Sequence, residues 1–119
     1  MCHVLIIEDE WLIAYHISLL LEDAGATSIM IADCEEDAVA CAMDRLPLVI
    51  ISDVNLRSGT GPGAVARIAD AVGDCEVIFV TGSPEQCPQG ETGAEILLKP
   101  VADHLLVSAF QRAANFTIN

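Results

Sequence analysis

Basic side chains are scarce in this sequence of 119 residues. Five lysines and arginines stand against 18 aspartates and glutamates, which gives a formal net charge of −13. A surface of that sign repels the phosphates of nucleic acids and of anionic membranes. We therefore expect proteins or cations as partners, with no nucleic acid and no membrane, and we interpret most of the carboxylates as an ordinary solubilising surface.

Long apolar runs and a secretion signal are also missing. No run approaches the roughly 18 residues that suggest a membrane span, and the first residues lack the basic region and apolar core of a signal peptide. The five cysteines show no Cys-x-x-Cys spacing. Because free thiols behave as small hydrophobes in such positions, we predict a reducing, cytoplasmic location.

The sequence does contain short apolar runs that alternate with helical patterns. Each run has the length and composition of a strand buried on both faces in a parallel sheet. The predicted strands are residues 3–7, 27–32, 48–53, 76–81 and 94–98. Five βα units result, and with 53% hydrophobic residues we predict one α/β domain over residues 1–119.

Several helix boundaries follow from local patterns. Gly25 stands where a left-handed cap would end the first helix, and Asp33 with Glu36 predicts the N-terminus of the second. Residues 57–63 are a loop by composition, and the glycines and prolines between residues 82 and 93 predict a short or irregular fourth helix. The inward stripe of the first helix is predicted to be Ile13, Ile17, Leu20, Leu21 and Ala24.

Charged and hydroxyl side chains follow or end four of the five strands. They are Glu8, Asp9, Asp53, Thr81 and Lys99, the last being the single lysine of the chain. In open parallel sheets ligands bind beyond the carboxyl ends of the strands, where residues distant in sequence meet. The sequence therefore predicts one site built from three carboxylates, a hydroxyl and an ammonium.

The chemistry of these residue types points to phosphoryl transfer. Three carboxylates raise one another's pKa unless a cation offsets the repulsion, and Mg²⁺ prefers such oxygen ligands. The carboxylate of Asp53 could accept a phosphoryl group, whose oxygens Thr81 and Lys99 could bind. Alternatively, Glu8 and Asp9 are only the acidic start of a helix, and Asp53 only caps a turn.

Four motifs in fixed order carry a resemblance to a known family. They are residues 6–10 (Ile-Ile-Glu-Asp-Glu), 50–56 (Ile-Ile-Ser-Asp-Val-Asn-Leu), 79–82 (Phe-Val-Thr-Gly) and 97–100 (Leu-Leu-Lys-Pro). Together they resemble the response-regulator receiver domain of two-component systems. The resemblance implies a flavodoxin-like, doubly wound (βα)5 fold with strand order 2-1-3-4-5 and a cis peptide bond before Pro100.

The same resemblance implies roles for the site residues. Asp53 would be the phosphoacceptor, with Thr81 and Lys99 binding the phosphoryl group. Mg²⁺ would be held by Glu8, Asp9, Asp53 and the backbone carbonyl of Asn55. The partner would be a histidine kinase or a histidine phosphotransfer protein, and the chain, a monomer or weak dimer, would catalyse only its own phosphorylation and dephosphorylation.

The sequence departs from the family at one position that matters for signalling. Ile96 stands where receivers usually carry an aromatic residue, so rotation of a ring behind Thr81 cannot transmit the signal. Residues 79–85 and the glycine-rich loop after Leu56 are similar to stand-alone, stress-response receivers of the alphaproteobacterial type. Such proteins signal by protein contacts or act as phosphate sinks.

Two further expectations concern single side chains. We expect Trp11, one turn from Tyr15, to pack over the sheet edge beside the acidic pair, with Ser18 and Glu22 continuing the outer face. The resemblance makes this face a candidate docking surface for a phosphohistidine helix. We also expect the Lys99 ammonium to have no partner before phosphoryl transfer.

Three other classes fit less well. A phosphatase of the haloacid dehalogenase type needs a second aspartate at the position of Asn55, and a cap domain for which there is no room. A flavodoxin-like cofactor binder needs phosphate-binding donors where the acidic residues 8–10 stand. A receiver-like interaction module that works without phosphorylation stays open because of Ile96.

Overall fold

The computed structural model describes residues 2–82 and 94–118, with side chains up to residue 115. The elements are β1 (His3–Ile7), α1 (Trp11–Asp23), β2 (Ser28–Ala32), α2 (Glu35–Asp44), β3 (Val49–Asp53), α3 (Gly61–Val72), β4 (Glu76–Thr81), β5 (Glu95–Leu98) and α4 (Asp103–Ile118). Every predicted strand is present within one residue of its expected start. The helix expected between β4 and β5 falls outside the described residues.

The strands form one sheet in the order β2-β1-β3-β4-β5, and all four neighbouring pairs are parallel. The pairing aligns the strand ends, since Ile7 is opposite Ser52, Asp53 is opposite Val80, and Thr81 is opposite Leu98. This confirms the predicted flavodoxin-like α/β fold and its strand order. The predicted cis peptide bond between Lys99 and Pro100 is also present.

Apolar side chains cover both faces of the sheet, because alternate residues of each strand point to opposite sides. Val4 and Ile6 of β1 pack in a cluster with residues of α1 and α4. Leu5 and Ile7 pack in a second cluster with residues of α2 and α3. All five residues of β1 are buried, so the residues that follow this interior strand emerge at the carboxyl edge of the sheet, next to the end of β3.

Two helix starts differ from the sequence prediction. The N-cap of α2 is Cys34, whose Sγ accepts the N–H of Asp37 at 3.5 Å, so the predicted cap at Asp33 is wrong. Helix α3 begins at Gly61, inside the predicted loop, with Thr60 as its N-cap. Pro62 fits this first turn because its missing N–H would have no helical acceptor there.

The inward face of α1 is rotated from the predicted stripe. Its buried residues are Ala14, Ile17, Ser18 and Leu21, whereas Ile13 is exposed. Ser18 is tolerated inside because its hydroxyl donates to the carbonyl of Tyr15 at 2.7 Å. The predicted left-handed Gly25 is confirmed by a φ of 119°.

The four cysteines that the structure describes are free. Among the helices described here, none combines the length and apolar character that a membrane crossing would require.

Candidate functional site

The carboxyl ends of the parallel strands bring the predicted site residues together. Glu8 and Asp9 follow β1, while Asp53 ends β3. One carboxylate oxygen from each of these three residues lies within 4.8 Å of the other two. The strand ends thus place three potential oxygen ligands at one point, although Asp9 and Asp53 are 44 positions apart in the chain.

Lys99 reaches into this cluster from the end of β5. Its Nζ lies 3.2 Å from Oδ2 of Asp53 and 3.9 Å from Oε1 of Glu8. The expectation that this ammonium has no partner before phosphorylation is therefore wrong, because the neighbouring carboxylates attract it. The backbone N–H of Lys99 donates to the carbonyl of Thr81 at 2.9 Å and extends the pairing of β4 with β5.

The Asp53 carboxylate is held in one orientation. Its Oδ1 accepts the N–H of Val54 at 2.8 Å, and Oδ2 faces Lys99. The side chain is only 12% exposed. An oxygen fixed by the adjacent backbone on one side leaves the second oxygen as the one available for chemistry.

Glu8 is the most buried charged group of the site, with 4% of its surface exposed. Burial, and then the carboxylate of Asp53, raises the pKa of Glu8 to about 7, although the Glu10 N–H and Lys99 oppose the shift. A divalent cation would offset both causes. Three converging carboxylates form an oxygen donor set that suits Mg²⁺.

Asp9 joins the site to the loop after β3. Its Oδ2 accepts the N–H of Arg57 at 2.8 Å. In the same loop Asn55 pairs with Thr60 in an isolated antiparallel bridge. A role of the Asn55 carbonyl as a ligand stays a prediction.

Thr81 and Ile96 lie on neighbouring strands beneath the site. Thr81 ends β4 and is 1% exposed. Ile96 is partly buried and packs against the cluster of α2 and α3 side chains. The position that usually carries an aromatic ring is thus occupied by a smaller, partly buried side chain that packs against the core.

Trp11 does not pack over the sheet edge, so that prediction is wrong. It is 64% exposed, and its ring centroid lies 5.6 Å from that of Tyr15. Leu12 and Leu19 of the same helix are also exposed. Helix α1 therefore presents an apolar stripe to solvent next to the site, which we call the α1 stripe (Trp11, Leu12, Tyr15 and Leu19).

Three features around the site were not predicted from the sequence. A groove of about 310 Å³ adjoins it, lined by Glu8, Asp9, Trp11, Ile31, Asp33 and Asp37. Ligand atoms of Asp33, Cys34 and Asp37 form a second, largely exposed group. The third feature is Glu35, which contacts the loop after β3. Glu35 stands in an acidic helix start, where a carboxylate is favoured for local reasons, so no sequence signal singles it out.

Comparison with known proteins identifies the family. Residues 4–111 match the response regulator receiver domain family. The chain belongs to this family.

Individual relatives show which members of the family this chain is similar to. The phyllosphere-induced regulator PhyR of Methylorubrum extorquens is 34% identical over 112 residues, covering 92% of this chain and 39% of that protein. The solution structure of the receiver domain of Erythrobacter litoralis PhyR superposes with a TM-score of 0.84 at 26% identity, covering 99% of this chain and 93% of that one.

A mutant of the anti-anti-sigma factor PhyR from Bartonella quintana gives a TM-score of 0.83 at 30% identity, covering 98% of this chain and 50% of that one. These relatives confirm the predicted likeness to alphaproteobacterial receivers. The chain spans 39% of the length of its curated PhyR relative.

Proposed function

We propose that this chain is a phosphoacceptor that takes a phosphoryl group onto Asp53 with Mg²⁺ and later loses it to water. The observation that carries the proposal is the setting of the Asp53 carboxylate. Oδ1 is fixed by the Val54 N–H, and Oδ2 lies 3.2 Å from the Lys99 ammonium and close to two further carboxylates.

The transfer replaces one phosphorus bond by another. Oδ2 of Asp53 forms a bond to phosphorus while the bond from phosphorus to the donor's imidazole nitrogen breaks, and the imidazole leaves. The Lys99 ammonium exchanges its contact with Oδ2 for the phosphoryl oxygens, where charge collects. The buried Thr81 hydroxyl is a second donor for those oxygens.

Glu8, Asp9 and Asp53 would hold the cation, with the Asn55 carbonyl as a further ligand. When bound, Mg²⁺ supplies positive charge that offsets repulsion between these carboxylates and the incoming phosphoryl group. Glu8, with its raised pKa, must lose its proton before it can serve as a ligand.

The donor we propose is a histidine kinase or a histidine phosphotransfer protein. The α1 stripe supports this partner, because it offers exposed apolar and aromatic area beside the acceptor carboxylate. The phosphorylated chain then acts through protein contacts or drains phosphate from its partner, as a monomer or weak dimer in the cytoplasm. It catalyses no reaction besides its own phosphorylation and dephosphorylation.

The test is transfer of labelled phosphate from phosphorylated histidine kinases in the presence of Mg²⁺. We expect base-labile label on the wild type, none on Asp53→Asn, and full labelling of Asp70→Asn, a matched change at an exposed position of α3. Chelation of Mg²⁺ should abolish the label. Undiminished labelling of Asp53→Asn would overturn the mechanism.

A second candidate function is an interaction module that works without phosphorylation. Ile96 favours it because this residue replaces the aromatic ring that usually transmits the signal. In that case the wild type would bind its partner equally well in the labelled and unlabelled forms, or would take up no label from any phosphorylated kinase. A change in partner affinity on labelling would exclude this candidate.

A further inference from the structure

The loop between β3 and α3 is fastened at two places. Toward the site, the N–H of Arg57 donates to Oδ2 of Asp9 at 2.8 Å. Away from the site, Glu35 at the start of α2 makes two contacts. Its backbone N–H donates to the carbonyl of Ser58 at 3.2 Å, and its Oε1 accepts the N–H of Thr60 at 3.2 Å. The loop is thus held between a site carboxylate and a carboxylate of another helix.

The Glu35 side chain is closely enclosed by the loop. It is 24% exposed, and its Oε2 accepts from Nη1 of Arg67 on α3 at 3.0 Å. A Cβ at Gly59 would lie 2.4 Å from the Cβ of Glu35, and one at Gly63 would lie 2.6 Å from its Oε1. The absence of side chains at these two glycines therefore makes room for the Glu35 carboxylate. An ordinary ion pair on the surface would not require such close packing.

Thr60 connects Glu35 to the acceptor strand. It is the N-cap of α3 and pairs with Asn55 in the antiparallel bridge. The next residue, Gly61, donates its N–H to the carbonyl of Val54 at 2.9 Å. The contact of Glu35 with Thr60 thus restrains the backbone directly after Asp53. It also restrains Asn55, whose carbonyl is a metal ligand in our proposed function.

We propose that Glu35 is a positioning residue for the metal and phosphoryl site. It holds the β3–α3 loop so that the Arg57 N–H stays on Asp9 and the Asn55 backbone stays beside the acceptor strand. This role rests on the proposed function and adds to it a residue from α2. Groups that orient the ligands of a metal typically change its affinity about 10- to 100-fold when they are removed.

The experiment measures Mg²⁺ affinity of the full chain by calorimetry. We expect Glu35→Ala to bind Mg²⁺ about tenfold more weakly than the wild type. Glu36→Ala is the matched control, because Oε1 of Glu36 accepts from the same Nη1 of Arg67 at 2.9 Å, whereas in the described structure Glu36 makes no hydrogen bond to the loop. It should bind as the wild type does. Glu35→Gln keeps an oxygen for the Thr60 N–H and should restore most of the affinity.

A second measurement needs no metal. In the metal-free protein, amide hydrogen exchange at Thr60 should be faster in Glu35→Ala than in wild type and Glu36→Ala, while the amides of β1 and β3 keep their protection. Uniform loss of protection across the sheet would instead assign Glu35 a general role in stability and overturn the positioning role.

The outcomes separate this inference from the proposed function. Wild-type Mg²⁺ affinity in Glu35→Ala, or an equal loss in Glu36→Ala, would overturn the positioning role while the phosphoacceptor proposal stands. A wild-type protein that takes up neither Mg²⁺ nor a phosphoryl group would overturn both.

Discussion

The two ends of strand β1 each carry a buried titratable side chain, and only one of them belongs to a candidate site. His3 at the amino end is 5% exposed, and Glu8 beyond the carboxyl end is 4% exposed. Burial shifts both toward the neutral form, because it raises the pKa of Glu8 to about 7 and lowers the pKa of His3. Burial and a shifted pKa therefore do not by themselves distinguish a functional group.

The surroundings of the two side chains make the difference. At the amino end His3 contacts the Ser28 hydroxyl through Nδ1 at 2.8 Å, while Nε2 is buried without a hydrogen-bond partner among the described residues. At the carboxyl end Glu8 lies with Asp9, Asp53 and Lys99, which come from three strand ends. A gathering of carboxylates favours a bound cation, and this distinguishes the candidate site from the amino end.

The largest loss of stability that we predict follows from the close packing around Gly61, at the carboxyl ends of the strands. A Cβ at Gly61 would lie 1.9 Å from the backbone oxygen of Asp53 and 2.4 Å from Oγ of Ser52. Gly61→Ala should therefore lower the free energy of unfolding by about 3 kcal/mol, measured by denaturant titration.

Gly25→Ala, near the amino end, is the comparison for this change. Among the described residues, no heavy atom other than those of its chain neighbours lies within 4 Å of its Cβ position, but its φ of 119° is unfavourable for alanine. We expect a loss of about 1 kcal/mol from backbone strain alone. Equal losses in the two variants would show that the strand end relaxes around the added methyl group.

The second prediction is that the metal-free protein loses stability as the pH rises. Because the pKa of Glu8 is raised in the folded state, its stabilising contribution is present below about pH 4.5 and is lost as the pH passes about 7. Denaturation in chelator between pH 5 and pH 8 should show a loss on the order of 2 kcal/mol.

Glu8→Gln should flatten that pH dependence, and Mg²⁺ at pH 8 should stabilise the wild type far more than the variant. A wild type whose stability in chelator is constant from pH 5 to pH 8 would contradict the burial of an ionisable Glu8.

The third prediction concerns the ammonium that offsets part of this charge. Lys99→Ala leaves Asp53 and Glu8 without a neighbouring cation, so we expect a loss of about 1 kcal/mol at pH 8 in chelator, given a side chain that is 33% exposed. Mg²⁺ should restore the lost stability and bind at least as tightly as in the wild type, whereas phosphorylation should produce little conformational response.

Arg112→Ala removes an exposed cation whose partner is Glu95, away from the site, and serves as the control. If Mg²⁺ stabilised the two variants and the wild type equally, the Lys99 ammonium and the metal would not interact with the same carboxylates.

The smallest effect is expected at the amino end and has the opposite sign. Because burial and then Arg45 lower the pKa of His3, the neutral ring is favoured in the folded state. Stability is therefore lost as the pH falls through about 6.5, where the unfolded chain takes up the proton. His3→Val should remove this acid sensitivity, while His104→Gln, at an exposed position of α4, should not. The measurement is the change in thermal unfolding temperature between pH 7 and pH 5.5. An equal change in both variants would contradict the assignment of the acid sensitivity to His3.

The sequence by itself determined the strands and the composition of the site. Continuous apolar runs of about five residues are typical of strands buried on both faces, and all of them are strands of the parallel sheet. Since parallel strands end at one edge, a polar residue after each run was enough to predict that Glu8, Asp9, Asp53 and Lys99 meet. Gly25 was predictable too, because a helix end with positive φ favours glycine.

Only the tertiary structure decided which of these groups touch and which outer surfaces stay open. The pairing of Lys99 with Asp53, the N–H of Arg57 on Asp9, and the hold of Glu35 on Thr60 join residues 25 to 48 positions apart. Local propensity carries no information about such contacts, because they depend on how the helices settle on the sheet. The same packing turned Ser18 inward and left Trp11 in solvent, where the helical period alone allowed either arrangement.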